Sequence, residues 1–203
     1  MICLIDGFNL YHAIDRTGDE SLKWCNYWNL AQRFVKSNDT LKSVWYFTAL
    51  AQWKPEGMSR HAKLIDAQKA NGVDVVFGEF KKVKRFCKRC QSTYSAHEEK
   101  RTDVNLASHL VHLAHADAFD TALIMSSDSD YTSAISLVRD CFPHKAIGIV
   151  FPVGQKKSDE LAGEATFIRY MKISDLKKSM LSDRVALPNG EIVIRPARYA
   201  PPA

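Results

Sequence analysis

Apolar residues along this chain come in short unbroken runs separated by stretches of helical spacing. The first run, Ile2 to Ile5, ends at Asp6-Gly7, as a buried strand does when it leaves a sheet through a glycine turn. Helical spacing follows at Leu10 to Ile14 and at Trp28 to Val35, and the aromatic and branched residues of Ser43 to Thr48 predict a second strand. Met58 to Asn71 reads as a helix with Leu64, Ile65 and Ala67 on its apolar side and Gly72 at its stop, and Val73 to Phe77 as a third strand. After a basic insert, Val104, Ala107, Leu110, Val111 and Ala114 repeat at helical spacing from a start near Asp103. Strands four, five and six are predicted at Ala122 to Met125, Ala146 to Phe151 and Phe167 to Met171. Helices follow at Tyr131 to Val138 and near Asp175 to Met180.

This alternation of strand and helix implies an α/β fold with a mainly parallel sheet and helices on both faces, because parallel strands need crossover connections. Open sheets of this kind bind ligands outside the carboxyl ends of their strands. The 203 residues suit one domain. From Leu187 onward, Asn189-Gly190, the short run Ile192 to Ile194 and Pro196, Pro201 and Pro202 read as an appended, partly mobile tail.

Composition narrows the class. Hydrophobic residues at 46% and charged residues at 25% are ordinary globular values and exclude a disordered or fibrous chain. No apolar run approaches the roughly 20 residues a membrane helix needs, so no membrane partner is expected. The start lacks a basic leader and meets Asp6 too early for a signal peptide, which places the protein in the cytoplasm. Five scattered cysteines do not form a disulfide framework in a chain of this size, and reduced thiols are expected. A net charge of +5 permits an anionic partner without demanding one.

The candidate chemistry is acidic. Asp6 follows strand one, Asp103 opens the helix before strand four, and Asp128 and Asp130 follow strand four. In extended chain, Asp128 and Asp130 would point the same way and share one ligand. Taken singly, Asp128 or Asp130 reads equally as a helix cap and Asp103 as a residue favouring a helix dipole. Jointly they need a counter-charge, since two carboxylates about 4 Å apart repel by roughly 4 kcal/mol at an effective dielectric near 20. An oxygen-only ligand set selects hard ions, Mg²⁺ or Mn²⁺ over Zn²⁺, and phosphodiester hydrolysis is the natural reaction. Asn9 reads as a turn residue or as an amide that fixes Asp6 or a substrate oxygen.

Three motifs, Ile5-Asp6-Gly7-Phe8-Asn9, the run Glu99 to Ala107 (Glu-Lys-Arg-Thr-Asp-Val-Asn-Leu-Ala) and Ser126-Ser127-Asp128-Ser129-Asp130-Tyr131, together resemble the NYN family of PIN-like nucleases over about Met1 to Met171. The resemblance implies a three-layer α/β/α, PIN-like and Rossmann-like fold, with a nuclease domain over 1–180 and a C-terminal extension over 181–203. It implies metal-dependent cleavage of RNA by an endoribonuclease, with Asp6, Asp103, Asp128 and Asp130 as catalytic metal ligands, Asn9 beside them and Glu99 as an acid of second rank. In that scheme an ion on Asp6 and Asp128 positions the scissile phosphate, and a second near Asp103 or Asp130 activates water. A non-catalytic RNA-binding or regulatory module that keeps the pocket is the alternative, and a homodimer is open. A dehalogenase-type phosphatase is disfavoured, because Asp6-Gly7-Phe8 lacks its DxD pattern.

The insert, from about 81 to 97, crowds Lys81, Lys82, Lys84, Arg85, Lys88 and Arg89 around Phe86, the composition of a surface that tracks a nucleic-acid backbone and stacks a base, with Tyr94 as a second ring. Its plain alternative is a solvated charged loop. Cys87 and Cys90 have the spacing of half a structural zinc site, which His97, Cys25 or another chain would have to complete. His109, His112 and His115 share one helix but read as surface histidines, and the four tryptophans as core or rim residues.

Overall fold

The computed structural model describes residues 1–201. Its centre is a six-stranded sheet, parallel throughout, of β1 (Ile2–Asp6), β2 (Ser43–Thr48), β3 (Val73–Phe77), β6 (Thr121–Met125), β7 (Ala146–Phe151) and β8 (Phe167–Tyr170). Each of the six predicted strands is present. The spatial order is β3-β2-β1-β6-β7-β8, so the chain builds outward from β1 to one side and then returns beside β1 to build the other. That reversal opens a crevice at the carboxyl ends of β1 and β6, where ligands bind in folds of this type.

Alternation along β1 sorts the core into two layers. Cys3 and Ile5 belong to one buried cluster, which takes in Leu10 and Ile14 of α1 (Gly7–Asp15), Leu30 of α2 (Tyr27–Gln32) and Leu64 and Ile65 of α3 (Pro55–Ala70). Ile2 and Leu4 belong to the other, with Leu106 and Leu110 of α4 (Thr102–His115), Ile135 of α5 (Thr132–Cys141) and Leu161 of α6 (Asp159–Glu164). A strand buried on both faces must be apolar at every position, which is why Ile2 to Ile5 is an unbroken run. Gly7 allows α1 to start directly at the strand end: a Cβ there would lie 2.5 Å from the Phe47 carbonyl oxygen and from the Tyr46 ring.

Two segments differ from the sequence expectation. The basic insert is an antiparallel hairpin, β4 (Glu79–Cys87) and β5 (Ser92–Lys100), rather than a loop. Its register sets Lys81 opposite Glu98 and Lys82 opposite His97, and Arg85 pairs with Glu98 across the strands, a ladder that apolar alternation alone does not announce. The C-terminal segment is packed, not appended. After α7 (Ile173–Lys177) it forms a second hairpin, β9 (Arg184–Ala186) and β10 (Ile192–Ile194), and buries Val185, Val193 and Tyr199 in the first core cluster. Trp24 Nε1 donates to the Ser182 carbonyl at 2.9 Å, and the Leu181 amide donates to the Trp24 carbonyl at 3.0 Å.

Candidate metal centre

Asp6, Asp103 and Asp128 reach one point from three elements. Asp6 is the last residue of β1, Asp103 lies in the first turn of α4, and Asp128 stands in the loop after β6. Carboxylate oxygens of the three all lie within 4.8 Å of one another. Their orientation is over-determined. Asp6 caps α1 by accepting from the Asn9 amide at 2.9 Å through Oδ1, while its Oδ2 accepts from Ser126 Oγ at 2.9 Å. The Tyr131 hydroxyl lies 3.0 Å from Asp6 Oδ2 and 2.8 Å from Asp103 Oδ1, so one phenolic proton is shared between two carboxylates. Asn9 Oδ1 accepts from both the amide and the hydroxyl of Ser127, each at 3.1 Å, and ties α1 to the loop after β6.

Burial sets the electrostatics. Asp6 is 3% exposed, and burial pushes its carboxyl up to about 6 against the lowering pull of the Asn9 amide and the two hydroxyls. Asp103 is raised by burial and by the charges of Asp128 and Asp130. Glu99 is raised by burial and by Asp103 and Asp6. Tyr131 is raised by burial and by the same two aspartates, so its hydroxyl keeps the proton it donates.

The structure corrects the rank of two acids. Asp128 is followed by a 3₁₀ turn over Ser129–Tyr131, whose Asp130 amide donates back to Asp128 Oδ1 at 3.1 Å. The chain is therefore not extended there, and Asp130 is exposed and outside the group of three, though near enough for its charge to act on Asp103. Glu99 does not lie on α4 with Asp103; it stands near the end of β5, and Arg101, with φ 77, reverses the backbone so that strand and helix both face the cleft. Glu99 lines the acidic cleft of about 330 Å³ together with Asp6, Asn9, Asp103, Asp128 and Phe8. Two hydroxyls frame the site: Ser126, which the sequence offers either as a group that orients an aspartate or a phosphate oxygen or as a plain turn hydroxyl, does orient Asp6, and Tyr131, which the sequence reads only as the start of a helix, joins it. Their one sequence signal is adjacency to Asp128 and Asp130.

The donor set fits a hard divalent cation. It is all oxygen, it carries excess negative charge, and none of Asp6, Glu99, Asp103 or Asp128 forms an ion pair among the described residues. Glu99 Oε1 is in addition buried without a hydrogen-bond partner, a cost that a ligand in the cleft would relieve.

A family model, the NYN domain, matches residues 1–173. The chain belongs to the NYN domain family. The NYN match stops before the β9–β10 hairpin. A crystal structure of a protein of unknown function from Vibrio parahaemolyticus resembles this NYN chain in fold, with a TM-score of 0.56 at 18% identity over 89% of this chain and 94% of that one. Among curated proteins, none matches it. No helix is long and apolar enough to cross a membrane among the described residues.

The hairpin beside the centre has two unlike faces, because residues alternate along each strand. On one face Lys81 pairs with Glu79 at 3.2 Å, Arg85 Nε with Glu98 Oε1 at 2.8 Å, and Lys100 with Glu98 at 3.1 Å. The other face carries Phe80, Lys82, Lys84 and Phe86 with Glu99 and His97 across from them, and neither Lys82 nor Lys84 has an ion-pair partner among the described residues. Tyr94 is opposite Arg85, on the paired face. Phe80 meets Phe8 edge-on at 5.5 Å, which joins this second face to the acidic cleft.

His97 is not a partner for the cysteines. It stands opposite Lys82 and stacks on Trp53 at 3.7 Å, while Cys87 and Cys90 are at the hairpin tip, five residue steps or roughly 17 Å away. Cys25 is buried in the core. A zinc ion on Cys87 and Cys90 therefore gains no third ligand from His97 or Cys25, because an antiparallel ladder holds the three apart. Of the helix histidines, His109 packs against Trp45 and Phe47.

A second, larger cleft adjoins the acidic one. Its floor includes His61, whose Nε2 lies 3.0 Å from the Tyr46 hydroxyl and 3.3 Å from Thr48 Oγ1. Burial lowers His61 to about 4 from an ordinary 6.5. The folded state thus resists protonation that the unfolded chain accepts, and the stability His61 contributes is whole above 6.5 and is lost as pH falls toward 4. Between about pH 7 and about pH 4.5 this residue should cost the native state about 2–3 kcal/mol. Denaturant unfolding of wild type and His61→Gln at both pH values measures the difference, and equal pH slopes for the two proteins would refute it.

Proposed function

We propose that this chain is a metal-dependent ribonuclease, with Asp6, Asp103 and Asp128 holding Mg²⁺ or Mn²⁺ and RNA as the substrate. The observation that carries the proposal is the meeting, within 4.8 Å, of three carboxylates drawn from separate elements and left without a protein counter-charge. A cation bound there would neutralise the phosphodiester and acidify water, the chemistry that hydrolysis at neutral pH needs. The chain's own groups do the rest. Ser126 and Tyr131 fix the rotamers of Asp6 and Asp103, and Asn9 holds the loop bearing Ser127 and Asp128 against α1. Glu99 Oε1, buried and unpartnered at the cleft, is positioned to accept a proton. Lys82, Lys84 and Phe86 offer an unpaired cationic and stacking surface for the substrate strand, with Lys88 and Arg89 at the tip. Five free thiols fit a cytoplasmic setting.

The test is cleavage of labelled single-stranded RNA with added Mg²⁺ or Mn²⁺ by wild type and Asp128→Asn. The variant should lose on the order of a hundredfold or more in rate. Equal cutting by both proteins would mark a contaminant, and tight RNA binding by a wild type that never cuts would leave the non-catalytic RNA-binding module.

A further inference from the structure

The larger cleft, of about 500 Å³, lies between α1, α3 and the hairpin base, and it shares Phe8, His12 and Glu99 with the acidic cleft. None of the groups proposed for phosphodiester hydrolysis requires it. Its volume is in the range of small-molecule sites, and its walls are aromatic. His97 stacks on one face of Trp53 at 7°, Phe80 meets Trp53 edge-on at 4.6 Å, and Trp53 still remains 36% exposed. At the floor, the Tyr46 hydroxyl, Thr48 and the imidazole of His61 supply uncharged hydrogen-bonding groups. Lys54 and Arg60 add positive charge, and Arg60 lies 3.6 Å from an exposed glutamate, Glu56.

A flat, neutral, hydrogen-bonding group suits this chemistry better than a phosphate does. Aromatic rings and neutral polar groups accept a base on its face and its edge. Resting on the ribonuclease reading of the acidic site, we infer that the cleft receives the unpaired base of a nucleotide adjoining the cleaved phosphodiester, so that the enzyme takes single-stranded RNA with that base turned out of any stack. Tyr199, from the C-terminal segment that the family model does not cover, completes the wall. The turn that follows the last hairpin thus serves substrate binding as well as core packing.

The test is an abasic scan. Asp128→Asn protein, which keeps the larger cleft intact, is titrated with short fluorescent single-stranded RNAs that are identical except for one missing base, moved stepwise along the chain. One position should weaken binding about tenfold, the scale of a single base stack. Trp53→Ala in the same background should bind intact RNA about tenfold more weakly and no longer distinguish that abasic RNA from the intact one. A uniform scan, or a scan in which every positional penalty persists in Trp53→Ala, would overturn the inference. Cleavage by wild type combined with a uniform scan removes the base cleft alone. A clear positional penalty in a protein that never cuts removes the hydrolytic reading and leaves the base-binding cleft.

Discussion

Asp6→Asn should abolish RNA cleavage and, in the same molecule, make the metal-free protein harder to unfold. The loss of cleavage, on the order of a hundredfold or more, follows from removing charge at the deepest of the three carboxylates. The gain in stability follows from burial. The Asp6 carboxyl sits at about 6 in the folded chain against 3.8 for an ordinary aspartate, so its ionisation opposes folding. Wild-type stability is therefore full below 3.8 and declines as pH rises through 6, and Asp103 and Glu99, shifted in the same direction, add to the decline. An asparagine has no such penalty. Its oxygen can still accept from the Asn9 amide, and its NH₂ can donate to the Ser126 and Tyr131 hydroxyl oxygens. Denaturant unfolding in chelator above about pH 7 should show Asp6→Asn more stable by about 2–3 kcal/mol. Mn²⁺ should narrow or reverse the gap by stabilising wild type alone. A variant less stable than wild type in chelator would refute the electrostatic account of the centre.

The second large effect concerns the hairpin, whose faces should differ in their hold on RNA. Lys82→Gln with Lys84→Gln removes two cations that have no protein partner, so the dependence of log affinity on log salt should fall by about 1.4 for a single strand. With Phe86→Ala added, affinity at moderate salt should drop at least about tenfold through the lost stack. Lys81→Gln with Arg85→Gln removes cations already paired with Glu79 and Glu98, and should change affinity less than about threefold. Fluorescence anisotropy titrations over a salt series decide this. Equal losses from the two pairs would show that both faces, or neither, contact the strand.

The sequence by itself determined the sheet and the neighbourhood of the site. Unbroken apolar runs mark strands buried on both faces, and the pattern is local, so Ile2 to Ile5 and Ala122 to Met125 declare themselves without any partner strand. Acids immediately after those runs then fall at the carboxyl edge of the sheet, which is why Asp6 and Asp128 were legible. The hairpin was hidden because its strands are charged rather than apolar, with Arg85 of one bonded to Glu98 of the other, and in a linear reading they look like a solvated basic stretch.

Tertiary structure alone decided which acids converge. Asp130 leaves the centre because Asp128 caps a 3₁₀ turn, and Glu99 enters it because Arg101 adopts a left-handed conformation between β5 and α4. A single backbone angle of that kind leaves no periodic trace in the chain. Tyr131 bridges Asp6 and Asp103 only because β6 lies beside β1, and Tyr199 reaches the larger cleft only because the last hairpin docks on the core. Periodicity fixes which way a side chain faces within its own element; the meeting of elements far apart in the chain depends on strand order and loop conformation, which the folded protein alone determines.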